Sequence, residues 1–161
     1  ADSRKHIDET LYAVKDLDIP VLWFWPNVDA GADGTSAGIR SFREKYRSDH
    51  MHFFKNLEGE DFLRLLANAK CLVGNSSVGI RECALLGVPV VNIGRRQNKR
   101  DRGANIIDVN YHREEIVKAI QNWLSAGKAK TSAIYGGGDA GIQIGQLLAT
   151  LPLRFHKTIA Y

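Results

Sequence analysis

The chain has 161 residues, 44% hydrophobic and 25% charged, with 22 Lys and Arg against 18 Asp and Glu. That length fits one domain with a real core, and no apolar run approaches the ~18 residues of a membrane-spanning helix. The formal charge of +4 is mild and points to an anionic ligand before it points to nucleic acid. Two cysteines, Cys71 and Cys83, sit in apolar surroundings. Buried free thiols of a reducing cytosol are expected there, not a disulfide or a metal pair.

Residues 3–17 predict a helix, with Ile7, Leu11 and Val14 at i, i+4 and i+7 and Asp2 or Ser3 placed to cap it. Residues 20–25 are apolar throughout, as in a strand covered on both faces, and Pro26 ends it. Residues 27–36 are rich in Gly, Asp and Ala and predict a surface turn. Ile39, Phe42 and Tyr46 mark a second helix, residues 51–55 a short strand, and Phe62, Leu65, Leu66 and Ala69 a third helix begun near Gly59. A strand over 105–109, a helix striped by Ile116, Ile120, Trp123 and Leu124, and a Gly-rich loop over 128–138 follow later. Ile144, Leu147, Leu148 and Leu151 mark a last helix from about Asp139. Asp139 is expected to cap it. Strands alternating with helices predict an α/β fold: a Rossmann-like parallel sheet with helices on both faces.

Residues 71–91 organise the rest. They read as strand, tight turn, short helix, strand, with the helix closing at Gly87 and Pro89 opening the next strand. Asn75, Ser76 and Ser77 offer side-chain oxygens to the helix's first amides. Such a turn is also an anion site, since free amides and the helix dipole point at it. Gly74 and Gly79 are expected to let a ligand approach the backbone closely. Glu82 lies about one and a half turns further in and suits a neutral partner with paired hydroxyls, such as a ribose. A phosphate beside a ribose diol points to a nucleotide. Arg95, Arg96, Lys99, Arg100 and Arg102 crowd the next loop, and a bound anion would offset their repulsion. In a parallel sheet, ligands bind beyond the carboxyl ends of the strands. That rule gathers Asn27, Leu57, Ser76, Ser77 and Arg96 along one edge.

Gly74-Asn75-Ser76-Ser77 with Gly79, Arg81 and Glu82, followed by Leu86-Gly87, Pro89-Val90, Asn92, Gly94 and Arg96-Gln97, resembles the UDP-N-acetylglucosamine 2-epimerase family, in its hydrolysing branch. A second block, Trp25-Pro26-Asn27 with Asp29-Ala30-Gly31, also matches. The resemblance implies the C-terminal half of a two-domain, glycosyltransferase-B-like fold. Residues 1–161 would then be a single UDP-binding domain, with the N-terminal domain and a nucleotide-contacting histidine upstream of Ala1. It implies a reaction that inverts C2 and releases UDP to give N-acetylmannosamine or a related sugar. Ser76, Ser77 and Arg96 would hold the diphosphate and Glu82 the ribose. The side chain of Asn27 and the backbone of Leu57 would meet the base, since a leucine side chain cannot read uracil. The acid/base carboxylates are expected in the absent domain, so no catalytic residue is assigned and the isolated domain is expected to be inactive. No cofactor and no metal are expected, and the five histidines have no metal-ligand spacing. The intact protein is expected to be a cytoplasmic homo-oligomer without nucleic-acid or membrane partners.

Simpler roles stay open for each residue: caps for the serines, a solvated helix face for Glu82, loop roles for Asn27 and Leu57. Trp23 and Trp25 read as core. Relatives more often show Gly-Asp-Gly where this chain has Gly136-Gly137-Gly138-Asp139, which puts a ligand role for that loop in doubt. Two other functions remain: the UDP-binding half of a nucleotide-sugar glycosyltransferase, or a polyanion binder acting through the basic loop.

Overall fold

A computed structural model describes residues 2–26 and 32–152. Their elements run α1 (Asp2–Lys15), β1 (Val21–Phe24), α2 (Ala32–Lys45), β2 (Met51–Phe54), α3 (Gly59–Asn68), β3 (Leu72–Gly74), α4 (Ser77–Ile80), α5 (Glu82–Leu86), β4 (Val90–Ile93), β5 (Ile106–Val109), α6 (Arg113–Ala126) and α7 (Ala140–Thr150). Every strand pairing is parallel: β1 with β2, and β3 with β4 with β5. No described helix is long and apolar enough to cross a membrane.

Strand periodicity sorts the side chains onto two faces. Val21, Trp23, Met51, Phe53, Cys71, Val73, Val91, Ile93, Ile107 and Val109 belong to one core, closed by Leu11 and Val14 of α1, Ile39 and Phe42 of α2, and Ile116 and Ile120 of α6. Leu72, Val90 and Ile106 turn to a smaller core with Phe62, Leu66, Cys83 and Val88. Leu11, Ile39 and Ile116 are fully buried, and each contributes about 1.5–3 kcal/mol relative to exposure. Trp23 and Trp25 pack against the larger core, as expected. Both cysteines are free, and burial pushes their thiols up to about 12.

Three expectations change. The turn over 27–36 gives way at Ala32 to α2, despite Gly34 and Gly38. The glycines let α2 approach α1 closely: a Cβ on Gly38 would lie 2.5 Å from Ile7 Cγ2. Close packing outweighs the roughly 1 kcal/mol that glycine costs inside a helix. Residues 27–31, including Asn27, lie outside the described residues.

The second change concerns the sheet. The sequence predicts one parallel sheet, but the described residues form a two-stranded and a three-stranded sheet. The Val21 and Trp25 amides donate to His50 and Phe54 of the β2 side. By the alternation of a parallel ladder, the backbone groups of Leu22 and Phe24 point the other way. Likewise Leu72 donates to Pro89 beside β4, so Val73 points away from β4. The facing edges of β1 and β3 thus lack ladder partners among the described residues, although one core runs beneath both.

The third is α7. Its apolar residues fall as predicted, but it buries none of them. Ile142, Ile144, Leu147 and Leu148 are each more than half exposed. Asp139 stands at the N-cap position but makes no side-chain cap bond; it accepts from Gln143 Nε2 at 2.6 Å instead.

Candidate functional site

Because β3, β4 and β5 pair in parallel, the loops that follow them leave from one edge of their sheet. Leu57 is half-buried in the loop after β2. Ser76 and Ser77 follow β3, and Arg96 follows β4.

At the end of β3, Gly74 has φ +147°, with nothing within 4 Å of where a Cβ would stand. Glycine is required by conformation there and leaves open space beside the turn. Gly79 differs. A Cβ on it would lie 2.9 Å from Val90 Cγ1, so it serves the packing of α4 on β4 and not the approach of a ligand.

Ser76 caps α4, its Oγ accepting from the Val78 amide at a long 3.4 Å. The single helix expected after Ser77 is two short pieces, offset at Arg81 (φ −99°, ψ −73°). Bonds from the Arg81 amide to Ser77 and from the Leu85 amide to Arg81 meet at the offset. Four residues sum to little dipole. Anion affinity at this turn therefore has to come from amides, hydroxyls and neighbouring cations, not from a helix macrodipole. The segment closes at Gly87 in the left-handed region, as predicted.

Glu82 opens α5 and is half-buried, and its Oε2 is buried with no hydrogen-bond partner. A buried carboxylate oxygen without a donor is costly.

The basic loop between β4 and β5 begins at Gly94, φ +76°, where the Tyr111 ring occupies the space a Cβ would need. Arg95, Arg96, Lys99 and Arg100 are exposed. Arg102 is not part of that exposed set. It holds Asp108 through Nε at 2.7 Å and Nη2 at 3.2 Å, and donates to the carbonyls of Arg100 and Gln97. Asp108 also accepts from Asn92 Nδ2 at 2.6 Å. Partial burial pushes the Asp108 carboxyl up. The hydrogen bonds from Arg102 and Asn92, together with the guanidinium charge, outweigh this and hold it below the ordinary carboxylate range. Gln97, 2% exposed, donates from Nε2 to the Asn75 carbonyl at 2.8 Å. The loop is thereby tied to the serine turn.

The structure thus brings the serine turn and the Arg96 loop together and places Glu82 on the helical segment leaving that turn. Sequence reasoning missed the work of Asn92, Gln97, Arg102 and Asp108. A signal was present: polar residues interrupt the apolar runs 90–93 and 106–109, and Asn92 and Asp108 stand opposite each other in the ladder. No group of three metal-ligating side chains occurs among the described residues.

Comparison with known proteins gives a consistent picture. The family model described as UDP-N-acetylglucosamine 2-epimerase matches residues 1–149. The UDP-N-acetylglucosamine 2-epimerase of Neisseria meningitidis is 40% identical over 119 residues, 74% of this chain and 30% of that protein. The hydrolysing UDP-N,N'-diacetylbacillosamine 2-epimerase of Legionella pneumophila is 36% identical over 149 residues, 89% of this chain and 38% of that protein. This chain therefore spans about a third of the length of these relatives. Among solved structures, the UDP-GlcNAc 2-epimerase of Methanocaldococcus jannaschii superposes with a TM-score of 0.69 at 17% identity, covering 92% of this chain and 42% of that one. The same enzyme in complex with UDP-GlcNAc and UDP gives 0.68, covering 92% and 41%.

Proposed function

The chain belongs to the UDP-N-acetylglucosamine 2-epimerase family, and from that premise we propose that it is the UDP-binding half of a hydrolysing 2-epimerase. Its substrate is UDP-N-acetylglucosamine or a related UDP-sugar. The reaction inverts C2 and releases UDP and a free sugar of the N-acetylmannosamine type. Relatives that are hydrolysing 2-epimerases and a fold neighbour bound to UDP-GlcNAc and UDP support this reading.

The observation that carries it is the orphaned Oε2 of Glu82 on the segment leaving a turn that holds exposed Ser76. An acceptor without a donor beside an anion cradle suits a ribose diol attached to a diphosphate. In this reading Ser76, Ser77 and Arg96 take the diphosphate, Glu82 the ribose hydroxyls, and Leu57 and Asn27 the base. Elimination of UDP leaves negative charge on the departing diphosphate, and preset donors stabilise that charge without reorganising. The acid/base carboxylates belong to the other half of the protein, and the present domain alone is inactive.

Two features support a larger whole. Among the described residues, the edges of β1 and β3 lack ladder partners although one core runs beneath both. The apolar face of α7 is uncovered. We assign both to contacts with the remainder of the polypeptide: a strand between β1 and β3, and a surface under α7.

Calorimetric titration tests the reading. UDP should bind the 161-residue chain, weakly, and free N-acetylglucosamine should not. Equal affinity for both, or salt-steep binding of RNA with no preference for UDP, would overturn it. For the whole protein, release of free sugar and UDP without an acceptor separates a hydrolysing epimerase from a glycosyltransferase.

A further inference from the structure

We propose that Gln97 is a positioning residue that locks the basic loop to the serine turn, so that Ser76, Ser77 and Arg96 meet a diphosphate as one preset unit. This rests on the UDP-site reading above.

The loop bearing Arg95, Arg96, Lys99 and Arg100 faces solvent with four like charges close in sequence. Left to itself, such a segment spreads to relieve repulsion. Several ties oppose that, two of them at Gln97. In front, Gln97 turns inward between exposed Arg96 and Asn98, and its Nε2 donates to the Asn75 carbonyl at 2.8 Å. Behind, Arg102 is fixed on Asp108 and donates to the Gln97 carbonyl at 3.0 Å. Asp108 is fixed in turn by Asn92. One residue, Gln97, is thus held through its side chain by the turn that carries the serines and through its carbonyl by the brace on β5. Lys99 stands in the left-handed region at φ +64°, a conformation a lysine keeps only where its surroundings impose it. Arg96 directly precedes Gln97, so the pin that fixes Gln97 fixes where the Arg96 backbone stands relative to Ser76. A donor set fixed beforehand does not have to be ordered by the ligand.

The test is a double-mutant cycle with UDP as the probe. Gln97→Met keeps the bulk and removes the donor. It should weaken UDP binding about tenfold, the order of what a ligand loses when it must itself order a loop side chain. In an Arg96→Ala background the same change should cost less than about twofold, because the residue being positioned is gone. In a Glu82→Gln background it should cost the full amount, since Glu82 stands on a different segment. A residue with a merely structural role would cost the same in all three backgrounds, and that result would overturn the proposal.

Hydrogen exchange without any ligand separates this inference from the UDP reading. The Asn98 and Arg100 amides, which close the loop's internal turns on Arg95 and Gln97, should exchange at least about fivefold faster in Gln97→Met while core amides keep their protection. Asp108→Asn, acting from behind and further from the turn, should loosen the same two amides, and it serves if Gln97→Met does not fold. Unchanged loop exchange in a folded variant overturns the proposal whether or not UDP binds. Absence of UDP binding to the wild type overturns the UDP reading alone.

Discussion

Asn105, fully buried at the start of β5, donates from one amide nitrogen to the Val88 carbonyl at 3.1 Å and to the Gly79 carbonyl at 3.4 Å. It joins the residue after the Gly87 turn to the first turn after the serines, across 17 and 26 positions of chain. Asn105→Leu fills the space but leaves both carbonyls unpaired in a dry environment. Urea denaturation should show a loss of about 1–3 kcal/mol. Asn105→Asp should cost more, since a carboxylate would then face two carbonyl oxygens. A leucine variant as stable as wild type would show that the two carbonyls find other donors.

Gly38 and Ile7 give a second measure of packing. Alanine at Gly38 gains up to about 1 kcal/mol of helix propensity but drives its methyl to 2.5 Å from Ile7 Cγ2. Overpacking costs typically about 1–3 kcal/mol, so Gly38→Ala should be net destabilising. Gly34→Ala puts its methyl 3.4 Å from Ser3 Cβ and should be neutral or stabilising. Equal effects at the two positions would mean that α1 and α2 are not held at this distance.

The Asp108 carboxyl sits below its ordinary range in the folded chain. A depressed carboxylate stabilises the fold above its unfolded value, about pH 4, and that contribution is lost as pH falls through the folded value. Asp108→Asn should therefore lower stability at neutral pH, and the gap from wild type should close on acidification below about pH 4. Its size should be modest, since the Asp108 side chain is 47% exposed and solvent screens the pair. A gap that stays constant from neutral to acid pH would remove the ion pair from the account.

Arg96→Ala should lower UDP affinity roughly ten- to hundredfold, the value of a charge-assisted bond to phosphate. Glu82→Gln keeps the shape and one acceptor but makes the group neutral. It should weaken UDP more than a 2′,3′-dideoxy analogue, because only UDP offers hydroxyls to the orphaned oxygen. Titrating both nucleotides against both proteins decides. If the two ligands lose equally, Glu82 does not read the ribose.

The sheet edges that lack partners among the described residues make a prediction about the whole protein. In the 161-residue chain, the Leu22, Phe24 and Val73 amides should exchange quickly beside protected Val21 and Leu72. With the rest of the polypeptide present, a strand between β1 and β3 should slow those three by at least about a hundredfold. Rates that do not change would leave the slot without an occupant.

The alternation of apolar strands with striped helices was legible from the sequence, because periodicity is a local property of each segment. So were the serine turn, its closure at Gly87, and the placing of Ser76, Ser77 and Arg96 beyond neighbouring strands of one sheet. A parallel sheet fixes that placing by direction alone. The motif residues also disclosed the family before any coordinates did.

What the sequence left undecided depends on contacts between distant segments. Gly34 read as a turn residue until α1 supplied the surface that makes a helix of small residues favourable. Gly79 read as a ligand glycine until Val90 was seen to need the space. Arg102 read as one more loop cation, and only the fold brought Asp108 and two loop carbonyls around it. The exposed stripe of α7 and the open edges of β1 and β3 are a matter of partners, which no period in a sequence encodes. Local pattern specifies which face of an element is apolar. Tertiary structure decides what that face meets, because the burial and hydrogen bonding that select among arrangements arise only when segments far apart in the chain come together.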